Sequence, residues 1–506
     1  MNSRPIRWLG PSALLALTAV LRAPAFARSY LSDDEEIYAV IGRAIATGAR
    51  VYVDVVDHKP PAIYWVYAAA HRLAGSDAAM AVLHALLVLV VWATALSVGA
   101  IARRCSANSP NVDRIAALLY VVFTTTMMSF DSLAANAELL MMLPASLALL
   151  VVLDAPVSAA RGLLAGVLLS CAGAFKYQAA VEAPVLLGLV FLPRGTPLST
   201  RLGRVAALTA GLALPWLAIA AWFQNRGDFA EAMYWFRFNF AYIGAGSAPG
   251  EVVRRALPRI ALVVGPAVLL YAAAAFGLAR AWNDRTGLGR WMIAWTAFSA
   301  VAVSAGSRFF GHYFHQLTAP LAVLAAPVIL GIPTARRRVV IVCLALPALA
   351  FWGIAWGHGP VMRYVVQRPE PDYAAVVRWL DERDTAGGSL CVWGNSPGLV
   401  ARARRPLGCR FVSANFLVGL SPATASQTDP AVDGSPNIVP GMWERFIADL
   451  RVRRPTFIVD GSAGDVSYFG KFPPEHYAAL WTILEREYEV AGIVEGMRVF
   501  RRRPGI

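Results

Sequence analysis

Between Ser32 and Trp65 the chain reads SDDEEIYAVIGRAIATGARVYVDVVDHKPPAIYW, and the side chains able to do chemistry stand near its two ends. Asp33, Asp34, Glu35 and Glu36 form an unbroken acidic run at one end, and Lys59 precedes the Pro60–Pro61 pair toward the other. A carboxylate can take a proton from an attacking hydroxyl. An ammonium is a compact charge with freely oriented donors that suit a phosphate oxygen. The stretch directly follows an apolar segment of membrane length, Trp8 to Phe26, so these groups stand at a bilayer surface. An acidic cluster with a lone lysine in that place points to chemistry on a lipid-linked anionic substrate.

The lysines are informative by their scarcity. Lys59, Lys176 and Lys471 are the only three in the chain, and every other basic side chain apart from histidine is arginine. An arginine would serve equally well as a snorkelling anchor, so lysine at Lys59 and Lys176 favours a role toward phosphate, more strongly at Lys59. Asp34 and Tyr38 are four residues apart and share a helix face. Ser32-x-x-Glu35 has the pattern of a capping box, which accounts for part of the acidic cluster by helix geometry alone. Further polar groups sit beside later apolar runs: Asp131, Asn136 and Glu138 in FDSLAANAELL, and Arg308, His312, Tyr313, His315 and Gln316 in SRFFGHYFHQ. A carboxylate such as Glu138 at a membrane lip is costly unless paired or facing a wet cavity. The aromatic stretch 233–247 reads first as interfacial anchoring and second as the lining of a sugar or lipid groove.

The elements that must position these residues are membrane helices. Of 506 residues, 57% are apolar, far from a soluble average. Apolar runs near 8–26, 78–101, 113–130, 137–153, 161–174, 178–193, 204–223, 257–281, 290–305, 316–332 and 338–357 predict about eleven spans. The net charge of +14 is an arginine excess on one side, carried by Arg4, Arg7, Arg103, Arg104, Arg114, Arg161, Arg194, Arg201, Arg204, Arg285, Arg290 and Arg336–Arg338. That side is cytoplasmic by the positive-inside rule. Loop 27–77, the later polar loops and the tail then face outward. No basic run is interleaved with stacking aromatics, which excludes nucleic acid as a partner.

After residue 360 the composition changes. SLCVWG and PTFIVDG read as short buried strands, Tyr373–Arg383 and Pro474–Tyr488 as helices, and 421–441 as a long loop. The fold class expected is therefore a multispanning α-helical membrane domain, 1–360, followed by an extracytoplasmic α/β domain, 361–506. Cys391 and Cys409 lie close enough on the oxidising side to be disulfide candidates. Cys171 and Cys343, in apolar segments, read as small core residues.

Within the first outward loop, Asp34, Glu35, Tyr38, Gly48, Tyr52, Asp54, Asp57, Lys59, Pro60, Pro61, Tyr64 and Trp65 resemble the signature of GT-C type multispanning glycosyltransferases. The resemblance is to the bacterial branch related to protein O-mannosyltransferases and lipid A aminoarabinose transferases. Weaker echoes are Asn136-x-Glu138, Lys176-x-Gln178 and His312-Tyr313-Phe314-x-Gln316. The resemblance implies a polyprenyl-phosphate-linked sugar donor and a lipid, glycan or protein acceptor hydroxyl. Transfer, inverting in outcome, would take place on the outer side of the inner membrane.

The first-loop aspartate of the family maps to Asp34 as general base, with Glu35 beside it; Asp33 leaves the register of the acid open by one residue. Lys59, Lys176 and Arg308 would meet the donor phosphate, and Tyr38, Asp57, Asn136, Glu138, His312, Tyr313 and Gln316 would shape the substrate site. The family is mixed in its need for a divalent metal, Mg or Mn, for which Asp34 and Glu35 would be the ligands. A lipid-linked sugar transporter or flippase is the alternative reading. For the tail, acceptor binding is one expectation.

Overall fold

The computed structural model describes residues 10–106, 109–125, 129–154, 157–192, 195–244, 249–283, 287–356, 371–420 and 433–505. Arg4, Arg7, Arg194 and Arg285, the boundary expected at 360/361, and residues 421–432 of the long loop lie outside them. Helices α1 (Pro11–Arg22), α2 (Asp33–Ala46), α3 (Pro61–Cys105), α4 (Val112–Phe123), α5 (Ser129–Leu133), α6 (Ala137–Leu153), α7 (Ala159–Phe175) and α8 (Ala183–Phe191) come first. They are followed by α9 (Leu198–Asn225), α10 (Phe229–Gly244), α11 (Pro249–Val264), α12 (Val268–Trp282), α13 (Leu288–Ser304), α14 (His315–Gly331) and α15 (Thr334–Trp356). The C-terminal part carries α16 (Tyr373–Arg383), α17 (Pro397–Ala403), α18 (Met442–Arg453) and α19 (Ala478–Glu487).

Each apolar run named above falls largely on a helix, and the protein is a multipass membrane protein. Among the described residues, Pro61–Cys105, Leu198–Asn225, Gly311–Gly331 and Thr334–Trp356 are long and apolar enough to cross a bilayer. The run expected as one span at 257–281 is instead broken between α11 and α12, which meet at 94°. Pro11–Ala27, Ala137–Leu153, Ala159–Phe175 and Tyr177–Phe191 are shorter apolar helices. Outward-facing Leu217, Leu257, Phe276, Val301, Val342 and Leu349 are exposed, as lipid-facing side chains must be. Arg104 and Arg161, expected on one side of the membrane, both bond the carboxylate of Asp154.

Two glycines fit the first loop to the bundle. Gly42 lets α2 lie against α3, where a β-carbon would meet Tyr67 Cβ at 2.5 Å. Gly75, with φ +69, breaks α3 so that its first part can follow α2 before its second enters the bundle.

The C-terminal part is an α/β fold on a four-stranded sheet of order β1-β2-β4-β3, with β1 (Leu390–Trp393), β2 (Phe457–Asp460), β3 (Tyr488–Val494) and β4 (Met497–Arg502). β1 and β2 are parallel and fully buried; β4 pairs antiparallel with β2 and β3. The expected strands are β1 and β2, and α16 spans Tyr373–Arg383 as expected. Pro474–His476 is a 3₁₀ turn leading into α19. Cys391 and Cys409 form a disulfide with Cα atoms 5.5 Å apart. Cys171 and Cys343 are free and half-buried, not fully packed in the core.

Candidate active site

The first loop is shaped by its own side chains. Ser32, in extended conformation, caps α2 by accepting from the Glu35 amide at 3.3 Å. Pro60 and Pro61 open α3 from an extended entry, so Lys59 is delivered at a fixed angle. Tyr52, held at φ 71, donates its hydroxyl to the Lys59 carbonyl at 2.6 Å. Asn239 of α10 donates to the His58 carbonyl at 2.6 Å.

These restraints bring the two ends of the loop together. Lys59 Nζ lies 2.8 Å from Asp34 Oδ1 and 4.6 Å above the Tyr38 ring, and the Tyr38 hydroxyl donates to Asp34 Oδ2 at 3.2 Å. Asp34 and Tyr38 thus meet as their four-residue spacing predicts. Asp34 and Lys59, given separate partners in the sequence reading, pair with each other. Burial would raise the Asp34 carboxyl, but the Lys59 ammonium, with His312 and Lys176 behind it, holds it well below the usual carboxylate range.

The other polar loops close around this pair. His312 Nδ1 lies 2.9 Å from Asp131 Oδ1, and its Nε2 lies 3.5 Å from Glu138 Oε1 and 3.9 Å from Asp34 Oδ2. For Asp131, burial is outweighed by His312, and its carboxyl also sits below the ordinary range. Lys176 caps the C-terminal end of α7, pairs with Glu138 and lies 3.8 Å over the Tyr313 ring. The result is a cavity of about 350 Å³ whose walls include Asp33, Asp34, His58, Lys59, Asp131, Lys176, Tyr177, Gln178, Asn239, Phe310, His312 and Tyr313. Opening beside it, and sharing Tyr177 and Asn239, is a groove of about 590 Å³ walled by Tyr52, Trp216, Leu217, Phe223, Phe236 and Phe240.

Of the residues expected at the site, Asp34, Lys59, Lys176, His312 and Tyr313 line the cavity. Tyr38, Asp57, Glu138, Asn136 and Gln316 form a layer behind it. Asp57 accepts from the His58 amide and the Tyr64 hydroxyl, and Asn136 donates to the Asp131 carbonyl. Gln316 donates to Glu182 at 2.9 Å. Glu35 turns away from the cavity altogether. Its carboxylate accepts from the Leu31 amide at 2.6 Å and the Ala135 amide at 2.8 Å, tying the first loop to the segment before α6. The expected capping box is therefore half realised: Ser32 caps, while Glu35 reaches past the cap to Leu31. Burial, only partly offset by those two amides, raises the Glu35 carboxyl to about 7.

Arg308 is 1% exposed and does not line the cavity; its carbonyl accepts from Arg259, whose guanidinium lies 4.8 Å over the Phe310 ring. Asn239 was missed because it lies in a stretch whose composition reads first as membrane anchoring. Asp131 stood in the right loop, but nothing in its spacing tied it to His312.

The metal ligands expected, Asp34 and Glu35, do not converge. Among the described residues no three His, Cys, Asp or Glu side chains are placed to hold a metal ion. Asp34 and Glu138 face the ammonium groups of Lys59 and Lys176, so these residues do not make a divalent-cation donor set.

No protein-family model matches the sequence, and no curated protein matches it. Solved structures do. ArnT from Cupriavidus metallidurans bound to undecaprenyl phosphate superimposes with a TM-score of 0.62 at 16% identity, covering 98% of each chain. The archaeal oligosaccharyltransferase AglB from Archaeoglobus fulgidus, in complex with an inhibitory peptide and a dolichol-phosphate, gives 0.53 at 12% identity over 98% of this chain and 74% of its own. The resemblance carried by the first loop and these superpositions over nearly the whole chain agree: this chain has the GT-C fold.

Proposed function

We propose that the protein moves a sugar from a polyprenyl-phosphate donor to an acceptor hydroxyl on the outer face of the inner membrane, with the N-terminus cytoplasmic, about eleven spans and the α/β part outside. The observation that carries this reading is the junction of two unlike spaces at Tyr177 and Asn239. One is a polar cavity holding Asp34, Lys59 and Lys176; the other is a wide aromatic and aliphatic groove. A lipid phosphate needs both, cations for its head and an apolar channel for its tail. ArnT and AglB were solved with such lipids bound.

In this reading the donor phosphate draws Lys59 and Lys176 toward itself. Lys59 leaving Asp34 removes the charge that depresses the carboxyl, and burial then raises its basicity. The acceptor oxygen attacks the anomeric carbon from the face opposite the phosphate. The carbon–oxygen bond to phosphate breaks with its electron pair on the departing polyprenyl phosphate, and the hydroxyl proton passes to Asp34. The lysines stabilise the charge that builds on the leaving phosphate, where preorganised cations count most. His312, fixed by Asp131, stands between Asp34 and Glu138 and orients both. Glu35 supports the loop from behind and does not meet the substrate.

Mass analysis of envelope glycolipids and glycoproteins from cells with and without the chain tests the proposal. Loss of one glycosyl increment with accumulation of its lipid-linked donor is the expected result. An unchanged glycan inventory in cells that express the donor would overturn it.

A further inference from the structure

The α/β part buttresses the first loop, whose residues His58 and Lys59 wall the cavity. The segment that carries Cys409 runs beside β1: Leu390 bridges Leu407, and the Gly408 amide donates to the Leu390 carbonyl at 2.8 Å. On its other side that segment takes up the first loop. The Val56 amide donates to the Arg410 carbonyl at 3.0 Å, and Val56 and Phe411 form a parallel bridge. The loop that carries Lys59 is thus added, three residues before the lysine, to the edge of the C-terminal sheet. Arg453 of α18 donates to the Asp54 carbonyl at 2.9 Å. His58 packs its ring between Phe238 and Phe416, with centroids 5.8 and 6.2 Å away. Further back, Arg402 of α17 pairs with Glu36 at 2.5 Å, and Arg43 donates to the Val400 and Ala401 carbonyls. The Cys391–Cys409 bond pins the docking segment to β1 one residue before Arg410.

We infer that the C-terminal α/β part is a positioning element for the donor phosphate: it templates residues 54–58 so that Lys59 faces the cavity before the lipid arrives. This rests on Lys59 meeting the phosphate, as proposed above. A loop released from its template populates the competent arrangement only part of the time, and apparent affinity falls by that fraction. Arg453 and Phe416 are the contacts to cut. Neither lines the cavity; Phe416 also packs on Trp235 and Phe238 of α10, and Arg453 also donates to the Leu407 carbonyl.

The test measures binding of undecaprenyl phosphate to the full-length protein in nanodiscs, together with kcat and KM where a donor is turned over. Arg453→Ala combined with Phe416→Ala is expected to weaken binding about tenfold, as loss of one charge-assisted hydrogen bond and one ring contact allows. The effect is expected in KM more than in kcat, with Arg453→Lys recovering most of the Arg453 share. Lys59→Gln alone weakens binding as well. Adding it to the double variant costs less than the product of the two effects, because both act through one ammonium.

If Lys59→Gln binds undecaprenyl phosphate like wild type, the reading of the phosphate site fails. If Lys59→Gln weakens binding but the Arg453/Phe416 variant does not, or if the two effects multiply, the positioning role fails while the site stands. Should the double variant not fold, amide exchange on the wild-type chain decides. The Val56 amide is expected to exchange as slowly as those of β1 and β2, and a Val56 amide exchanging at loop rates beside a protected sheet overturns the inference.

Discussion

Replacing Glu35 by glutamine separates two neighbouring acids that the sequence presents as equals. The carboxylate is wholly buried and accepts from two backbone amides, Leu31 at 2.6 Å and Ala135 at 2.8 Å, with His84 Nε2 at 3.5 Å. Glutamine keeps one acceptor and turns an NH₂ against the other amide, so one buried donor loses its partner, at about 1–3 kcal/mol. The pH dependence is more diagnostic. The folded-state pKa of about 7 lies above the unfolded value, so the native state binds the proton more tightly than the unfolded chain. The stability this contributes is full below pH of about 4.3 and is lost as pH rises through about 7, a span worth roughly 4 kcal/mol.

Thermal unfolding in lipid–detergent micelles at several pH values reads the effect. Wild type should soften between acid pH and pH 8. Glu35→Gln should start lower at acid pH and lack that part of the slope, so that the two converge. Turnover of Glu35→Gln should stay within about tenfold of wild type, against a loss of about 10²–10⁴ for a removed general base. A variant that melts like wild type at every pH yet loses turnover as completely as Asp34→Asn would refute the reasoning and return Glu35 to the reaction.

Other outcomes follow from the same geometry. Lys176→Gln leaves Glu138 buried without its ammonium, so both donor affinity and thermal stability should fall, the affinity by about tenfold or more, measured by lipid binding and melting. Substituting Phe236 and Trp216 by alanine should raise KM for a long-chain polyprenyl donor and leave that for a short-chain analogue nearly unchanged, because only the long tail reaches the groove. Asp131→Asn should reduce kcat with little change in donor binding, since its carboxylate fixes His312 and does not face the phosphate; steady-state kinetics separate the two.

Much of this arrangement is legible in the residues themselves. Local rules suffice for the Ser32 cap, for the Asp34–Tyr38 face and for the Pro60–Pro61 entry that holds Lys59, because each is decided within one turn of chain. Apolar run length suffices for the helices, though not for the 94° break between α11 and α12, which depends on packing. What spacing cannot carry is which way a buried carboxylate turns. Asp34 and Glu35 are adjacent on one helix, and only the position of Ala135, a hundred residues on, decides that Glu35 faces inward. The Lys59–Asp34 contact is hidden for the same reason: it closes a loop through Tyr52, Asn239 and the C-terminal sheet. The β3–β4 hairpin went unread although Glu495 and Gly496, both at positive φ, form the kind of two-residue turn that favours such a pairing. Arginine and glutamate on its strands masked the alternation.

Purified protein given a polyprenyl-phosphate-linked sugar and an envelope acceptor extract tests the central claim most directly. The wild-type chain should release polyprenyl phosphate and glycosylate the acceptor with inversion. Asp34→Asn, folded and still binding undecaprenyl phosphate, should do neither at a measurable rate. Undiminished transfer by Asp34→Asn would contradict the account.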